Sequence, residues 1–158
     1  MKKTTQPETI IPILAVGGEE EDQIALSEIL SRSAGFLPGS KWSLQTAPNL
    51  AAAIAALRQQ IPAVVICESD LGGASWRELW AQMAQLPDPP FLIVTSRLAD
   101  EYLWAEALNL GVYDVLAKPF NTAEVIRSVS QAWLHRSSRP TSRPLAAVGR
   151  SLGRALAV

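Results

Sequence analysis

The sequence predicts an α/β fold built on a five-stranded parallel sheet with helices on both faces. Short apolar runs rich in β-branched residues alternate with segments whose apolar residues fall at helical spacing, the pattern of repeated βα units. The run Ala63-Val64-Val65-Ile66-Cys67 is apolar throughout, as a strand must be when helices cover both its faces. Composition bounds the size: 158 residues, 48% hydrophobic and 18% charged, fit one domain with some chain left over and exclude a disordered protein.

The elements run in order along the chain. The first strand is Ile10 to Val16, with Pro12 weakening its early part by removing a donor. The helix after it, Glu20 to Ser33, buries Leu26, Ile29 and Leu30. Gly35, Pro38 and Gly39 break the chain before a second strand, Trp42 to Thr46, whose alternation marks a half-exposed position near an edge. A second helix from Leu50 to Gln60 presents Leu50, Ile54 and Leu57. The third strand, Ala63 to Cys67, is central, and Glu68 to Gly73 form the loop after it.

Trp76, Leu79, Trp80 and Met83 make a helical stripe that ends before Pro87-Asp88-Pro89-Pro90. Phe91 to Thr95 form the fourth strand and Asp100 to Leu110 the fourth helix, with Gly111 as its stop. Asp114 to Ala117 is the fifth strand. Asn121 and Glu124 have the spacing of a capping box opening the last helix, which buries Val125, Val129, Ala132 and Trp133.

Composition also narrows the functional classes. A single cysteine, Cys67, excludes a disulfide framework and a multi-cysteine metal site, fits a reducing compartment and reads as core filler. No apolar run approaches a membrane span of about 18 residues, and Met-Lys-Lys is followed by polar residues, so a cytoplasmic location is expected. Charge is unevenly placed. Residues 1–134 hold nine Lys and Arg against fifteen Asp and Glu, whereas the last 24 residues hold Arg136, Arg139, Arg143, Arg150 and Arg154 and no acid.

Three segments result: an extension over 1–9, a domain over 10–136, and a basic Pro/Ser/Arg-rich tail over 137–158. In the tail, Pro144 could start a short helix with Leu145, Val148, Leu152 and Leu156 on one side. Such a segment suits an acidic surface, whether membrane, nucleic acid or the domain itself. The lone histidine, His135, reads as a surface residue near a helix end.

Several local strings converge in the final third. A fourth strand ending Val94-Thr95-Ser96, a helix ended by Gly111, and Lys118-Pro119-Phe120 after the fifth strand occur together. With the order of elements, these make the domain resemble the receiver domain of bacterial response regulators, a flavodoxin-like doubly wound sheet of (βα)5 form. The resemblance implies acidic side chains at the ends of the first and third strands, because Mg²⁺ needs hard oxygen ligands and an aspartate must attack phosphorus. Those positions are changed. The acidic pair falls on Gly17 and Gly18, and the phosphoacceptor position falls on Glu68. Thr95 and Lys118 match the hydroxyl and the lysine that in the family meet the phosphoryl group.

The resemblance therefore implies a pseudo-receiver, not an enzyme, with its Mg²⁺ site lost and no cofactor. Glu68 carries one negative charge and could hold Lys118 and Thr95 in an active-like state, or simply pair with Lys118 as structure. The partner face made by the fourth helix, fifth strand and fifth helix includes Tyr102, Trp104 and Val115, the last at the family's aromatic switch position. A protein partner is implied, a histidine kinase or a downstream effector, with a homodimer also open and no room for a DNA-binding output domain. Two alternatives stay open: a working receiver using Glu68 or Asp70 as acceptor, with Glu19 and Asp70 rebuilding a metal site, or a small-ligand binder at the strand ends. Gly17-Gly18 lacks a full dinucleotide fingerprint, and Glu19-Glu20-Glu21-Asp22 would repel an anion.

Overall fold

A computed structural model describes residues 8–32 and 39–139. The predicted tail helix and most of the N-terminal extension lie outside these residues. Ten elements alternate: β1 (Thr9–Val16), α1 (Glu20–Arg32), β2 (Ser40–Ala47), α2 (Leu50–Gln59), β3 (Val64–Glu68), α3 (Trp76–Met83), β4 (Phe91–Ser96), α4 (Glu101–Leu110), β5 (Asp114–Ala117) and α5 (Thr122–Ser137). The five strands pair in parallel in the order β2-β1-β3-β4-β5. The expected fold class is the one observed, with β3 at the centre and β2 at an edge.

Alternate residues of the central strand feed two cores. Val65 and Cys67 pack with Leu79 and Met83 of α3, Leu103 and Ala107 of α4, and Ala53 and Leu57 of α2. Val64 and Ile66 point the other way, toward Leu26 and Leu30 of α1 and Val125 and Val129 of α5. Such two-sided burial explains the unbroken apolar run of β3, because neither face meets water. It also explains why Cys67 is held as a thiol, its pKa pushed up to about 12 by burial and then by the charge of Glu68.

Local chemistry sets the helix ends. Gly111 closes α4 in the left-handed conformation, at φ 93°, where a side chain would be strained. Asn121 caps α5 by accepting from the Glu124 N–H, whereas the full reciprocal capping box forms at α3 between Ser75 and Glu78. On α2 the buried residues are Ala53, Ala56 and Leu57 rather than a Leu50/Ile54/Leu57 stripe.

Pro12 does not weaken β1. The N–H groups of Thr9 and Gly17 donate toward β2, so the nitrogen of residue 12 faces the other side, where β3 pairing begins only at Ile13 and Val64. The Pro12 carbonyl on that side still accepts from the Ala63 N–H at 2.8 Å. A missing donor costs little where the neighbouring ladder has not yet started.

Candidate functional site

The strand order reverses between β1 and β3, and the crevice outside the carboxyl ends of these strands is where doubly wound sheets place their sites. A cleft of about 530 Å³ opens there, bordered by Gly17 and Gly18 after β1, Glu68 at the end of β3, Asp70 in the loop after it, Arg97 after β4 and Lys118 after β5. Sheet register brings the predicted residues together. Glu68, the last residue of β3, pairs with Thr95 in β4, and Ser96 pairs with Ala117, so Lys118 emerges beside them. Lys118 is joined to Pro119 by a cis peptide bond.

Lys118 is the centre of the site. Its ammonium lies 2.5 Å from Glu68 Oε2 and 2.7 Å from Asp22 Oδ2, with the lysine side chain only 3% exposed. The Thr95 hydroxyl donates to the same Glu68 Oε2 at 3.1 Å. One carboxylate oxygen thus engages both groups that the family resemblance assigns to a phosphoryl group. Beyond Asp22, Arg97 lies 3.6 Å from Asp22 Oδ1 and 3.8 Å from Glu19 Oε2.

Opposing effects set the ionisation of this cluster. Burial works against a charged lysine, but hydrogen bonds and charge from Asp22 and Glu68 outweigh it and raise the Lys118 pKa. Burial likewise opposes an ionised Asp22, and the Lys118 hydrogen bond and charge, aided by the Glu19 backbone and Arg97, hold its pKa below the usual carboxylate value. Both shifts favour the ion pair.

Asp22 is the residue that the sequence reading missed, noting it only within Glu19-Glu20-Glu21-Asp22 as a run that would repel an anion. It sits in the first turn of α1, where a carboxylate also complements the helix dipole. The signal available was indirect: a lysine without the acidic pair at Gly17 and Gly18 still needs a counter-ion, and Asp22 is a carboxylate within reach of that turn.

Gly17 has structural work of its own. Its φ of 71° strains any side chain, and a Cβ there would also meet the tip of the Leu71 side chain, Cδ2, at 2.5 Å. The Gln23 amide donates to the Gly17 carbonyl at 3.3 Å. Asp70 serves its own loop. Its Oδ1 accepts from the Gly72 N–H at 2.9 Å, an Asx turn that shapes the loop.

The expected partner face divides. Tyr102 is 86% exposed and Trp104 37%, so α4 does offer aromatic surface. Val115 does not belong to that surface: it is 3% exposed and packs in the core with Leu103 and Ala107. The alternation of β5 turns it inward beneath α4. His135 is also better supplied than expected, with Nδ1 2.7 Å from the Tyr113 hydroxyl.

The chain matches the model of the response regulator receiver domain over residues 8–130. It is 30% identical over 122 residues to the Probable transcriptional regulatory protein TcrX of Mycobacterium tuberculosis, a match covering 77% of this chain and 47% of that protein. The chain therefore spans about half the length of that relative. Among solved structures it is similar to the signal receiver domain of an HD domain-containing protein from Pseudomonas fluorescens, at 27% identity and TM-score 0.69 over 82% of this chain and 98% of the other. The chemotaxis response regulator CheY4 of Vibrio cholerae shares the fold, at 17% identity and TM-score 0.62 over 78% and 99% of the two chains.

Proposed function

The chain belongs to the response regulator receiver family, and from that premise we propose that it signals by protein–protein contact without a phosphorylation step. The observation that carries this reading is the engagement of Lys118 by two carboxylates and of Thr95 by one of them. Glu68 fills by itself the role of a charged group at the strand ends, and Asp22 replaces from α1 a carboxylate absent from Gly17 and Gly18. A phosphoryl group brings a charge of about −1.5 to −2, and it would have to displace a carboxylate from a buried ammonium. The arrangement thus favours one persistent state over a switch.

The donor set does not fit the Mg²⁺ of the family. A divalent ion needs several oxygens free to coordinate, whereas Glu68 Oε2 and Asp22 Oδ2 both face the Lys118 ammonium, which would repel it. Among the described residues no three His, Cys, Asp or Glu side chains come together as a metal group. The domain acts in this reading as a binding module, with no catalysis of its own. Receiver domains typically meet kinases or effectors, and α4, with Tyr102 and Trp104 exposed, offers the contact surface. No helix among the described residues is long and apolar enough to cross a membrane. A cytoplasmic location belongs to the same proposal.

The test is incubation of the full chain with Mg²⁺ and acetyl phosphate, followed by intact mass measurement beside Glu68→Asp. The expected result is no phosphoryl adduct on the natural sequence. A Mg²⁺-dependent adduct would overturn the reading and, once mapped, would identify the acceptor.

A further inference from the structure

Helix α4 carries an exposed surface that no described element covers. Tyr102 is 86% exposed, Leu98 before the helix 80%, Leu108 52% and Leu110 44%. From Asp100 to Gly111 the sequence holds Asp100, Glu101 and Glu106 and no basic residue, with Glu106 already paired to Arg77 of α3. The surface is therefore both apolar and acidic.

The end of α5 lies at the same end of the sheet as the end of α4, though on the other face. The Arg139 guanidinium stacks 4.1 Å from the centroid of Phe91 and donates to the Pro89 carbonyl at 3.0 Å. Arg136 donates to the Asp88 carbonyl at 3.2 Å. Phe91 is in turn packed 5.0 Å from the ring of Tyr113, three residues after α4 ends at Leu110. Arg139 is thus anchored on the side of the molecule where α4 ends.

The segment beyond Arg139 is chemically complementary to that helix. Residues 140–158 contain Arg143, Arg150 and Arg154 with no acid, and Leu145, Val148, Leu152 and Leu156 at spacings of three and four. Nineteen residues at up to about 3.3 Å each reach far beyond a ten-residue helix, which rises about 15 Å. Apolar residues meeting Tyr102 and Leu108 while arginines meet Glu101 would satisfy both characters of the surface at once.

We propose that residues 140–158 dock on the exposed face of α4, covering Tyr102 and the neighbouring acids within the same molecule. This inference stands on the α4 surface and on the anchoring of Arg139, and it is independent of how Glu68 and Lys118 are read.

Disulfide trapping in the full chain tests it. Cys67 is fully buried and does not compete as a thiol. Ala105→Cys on α4 is combined with Ser151→Cys, and as reference Ser27→Cys on α1, a neighbour of α5, is combined with the same Ser151→Cys. Under a mild oxidant the intramolecular 105–151 bond is expected to close on the order of tenfold faster than 27–151, because docking raises the local concentration at one site only. Adding Arg150→Glu and Arg154→Glu should bring the two rates together. Equal rates without those changes would overturn the proposal, and a 105–151 disulfide found only between chains would overturn it in favour of a second copy as the occupant.

Discussion

The two ends of the sheet solve the problem of buried polarity in opposite ways. At the carboxyl end, Lys118 is held by two carboxylates that are themselves mostly shielded, with side-chain exposures of 13% for Asp22 and 14% for Glu68. At the other end, Phe91, Tyr113, His135 and Arg139 stack as rings and a guanidinium, and the carboxylate that meets Arg139 is Asp88, with its side chain 47% exposed. One end depends on charge compensation inside the protein; the other leaves its charges to water. Removing a single group should therefore cost far more at the first end.

The largest effect is expected for Lys118→Met. It leaves Glu68 without its cation and Asp22 with only the partly exposed Arg97 at 3.6 Å, and loss of one partner from a buried ion pair costs about 3 kcal/mol or more. The matching change at the other end, Arg139→Ala, removes a partly exposed ion pair and one cation–π stack, worth about 1 kcal/mol together. Urea denaturation of both variants measures the contrast. Equal losses would break the comparison.

A smaller effect is expected from either carboxylate alone, since Lys118 keeps the other. Asp22→Asn and Glu68→Gln should each cost about 1.5 to 3 kcal/mol, the range of a charged hydrogen bond. The double variant should cost more than their sum, because only it leaves the ammonium buried without any anion. A strictly additive cycle would mean that the two carboxylates act independently and that water already solvates Lys118.

The uneven legibility of the molecule stems from the same contrast. The succession of strands and helices, the central position of β3 and the turn at Gly111 were readable because apolar periodicity and backbone conformation are local properties. Glu68, Thr95 and Lys118 were readable only through a resemblance that fixed their register. Asp22 was not, because its role depends on α1 aiming one carboxylate of an acidic run at a lysine 96 positions later. Val115 was misplaced for a related reason. Its match to the family's switch position suggested partner surface, while the packing of Leu103 and Ala107 over β5 is a tertiary fact.

The pH dependence sharpens the comparison further. The folded pKa of Asp22 is depressed, so its contribution is present above the ordinary carboxylate value of about 3.9 and is lost as pH falls through the depressed value. The folded pKa of Lys118 is raised, so its contribution is present below about 10.4 and is lost as pH rises through the higher value. Between these limits the difference in stability between the natural chain and Asp22→Asn should be flat, and it should shrink below them in acid and above them in alkali. Urea midpoints at intervals from pH 3 to pH 9 would show the flat range and the acid loss, and a difference that changes across neutral pH would assign the linkage to another group.

The smallest effect belongs to Tyr113→Phe. The substitution keeps the ring, and with it the 5.0 Å contact with Phe91, and removes only the hydroxyl that lies 2.7 Å from His135 Nδ1. His135 is exposed, so water replaces the lost partner, and the net cost of such a hydrogen bond is about 0.5 kcal/mol. A loss well above about 1.5 kcal/mol, the upper end for an ordinary hydrogen bond, would mean in the same denaturation experiment that this end also depends on a polar bond shielded from solvent. The two ends of the sheet would then differ in residue type alone, and not in how they keep charge in a folded chain.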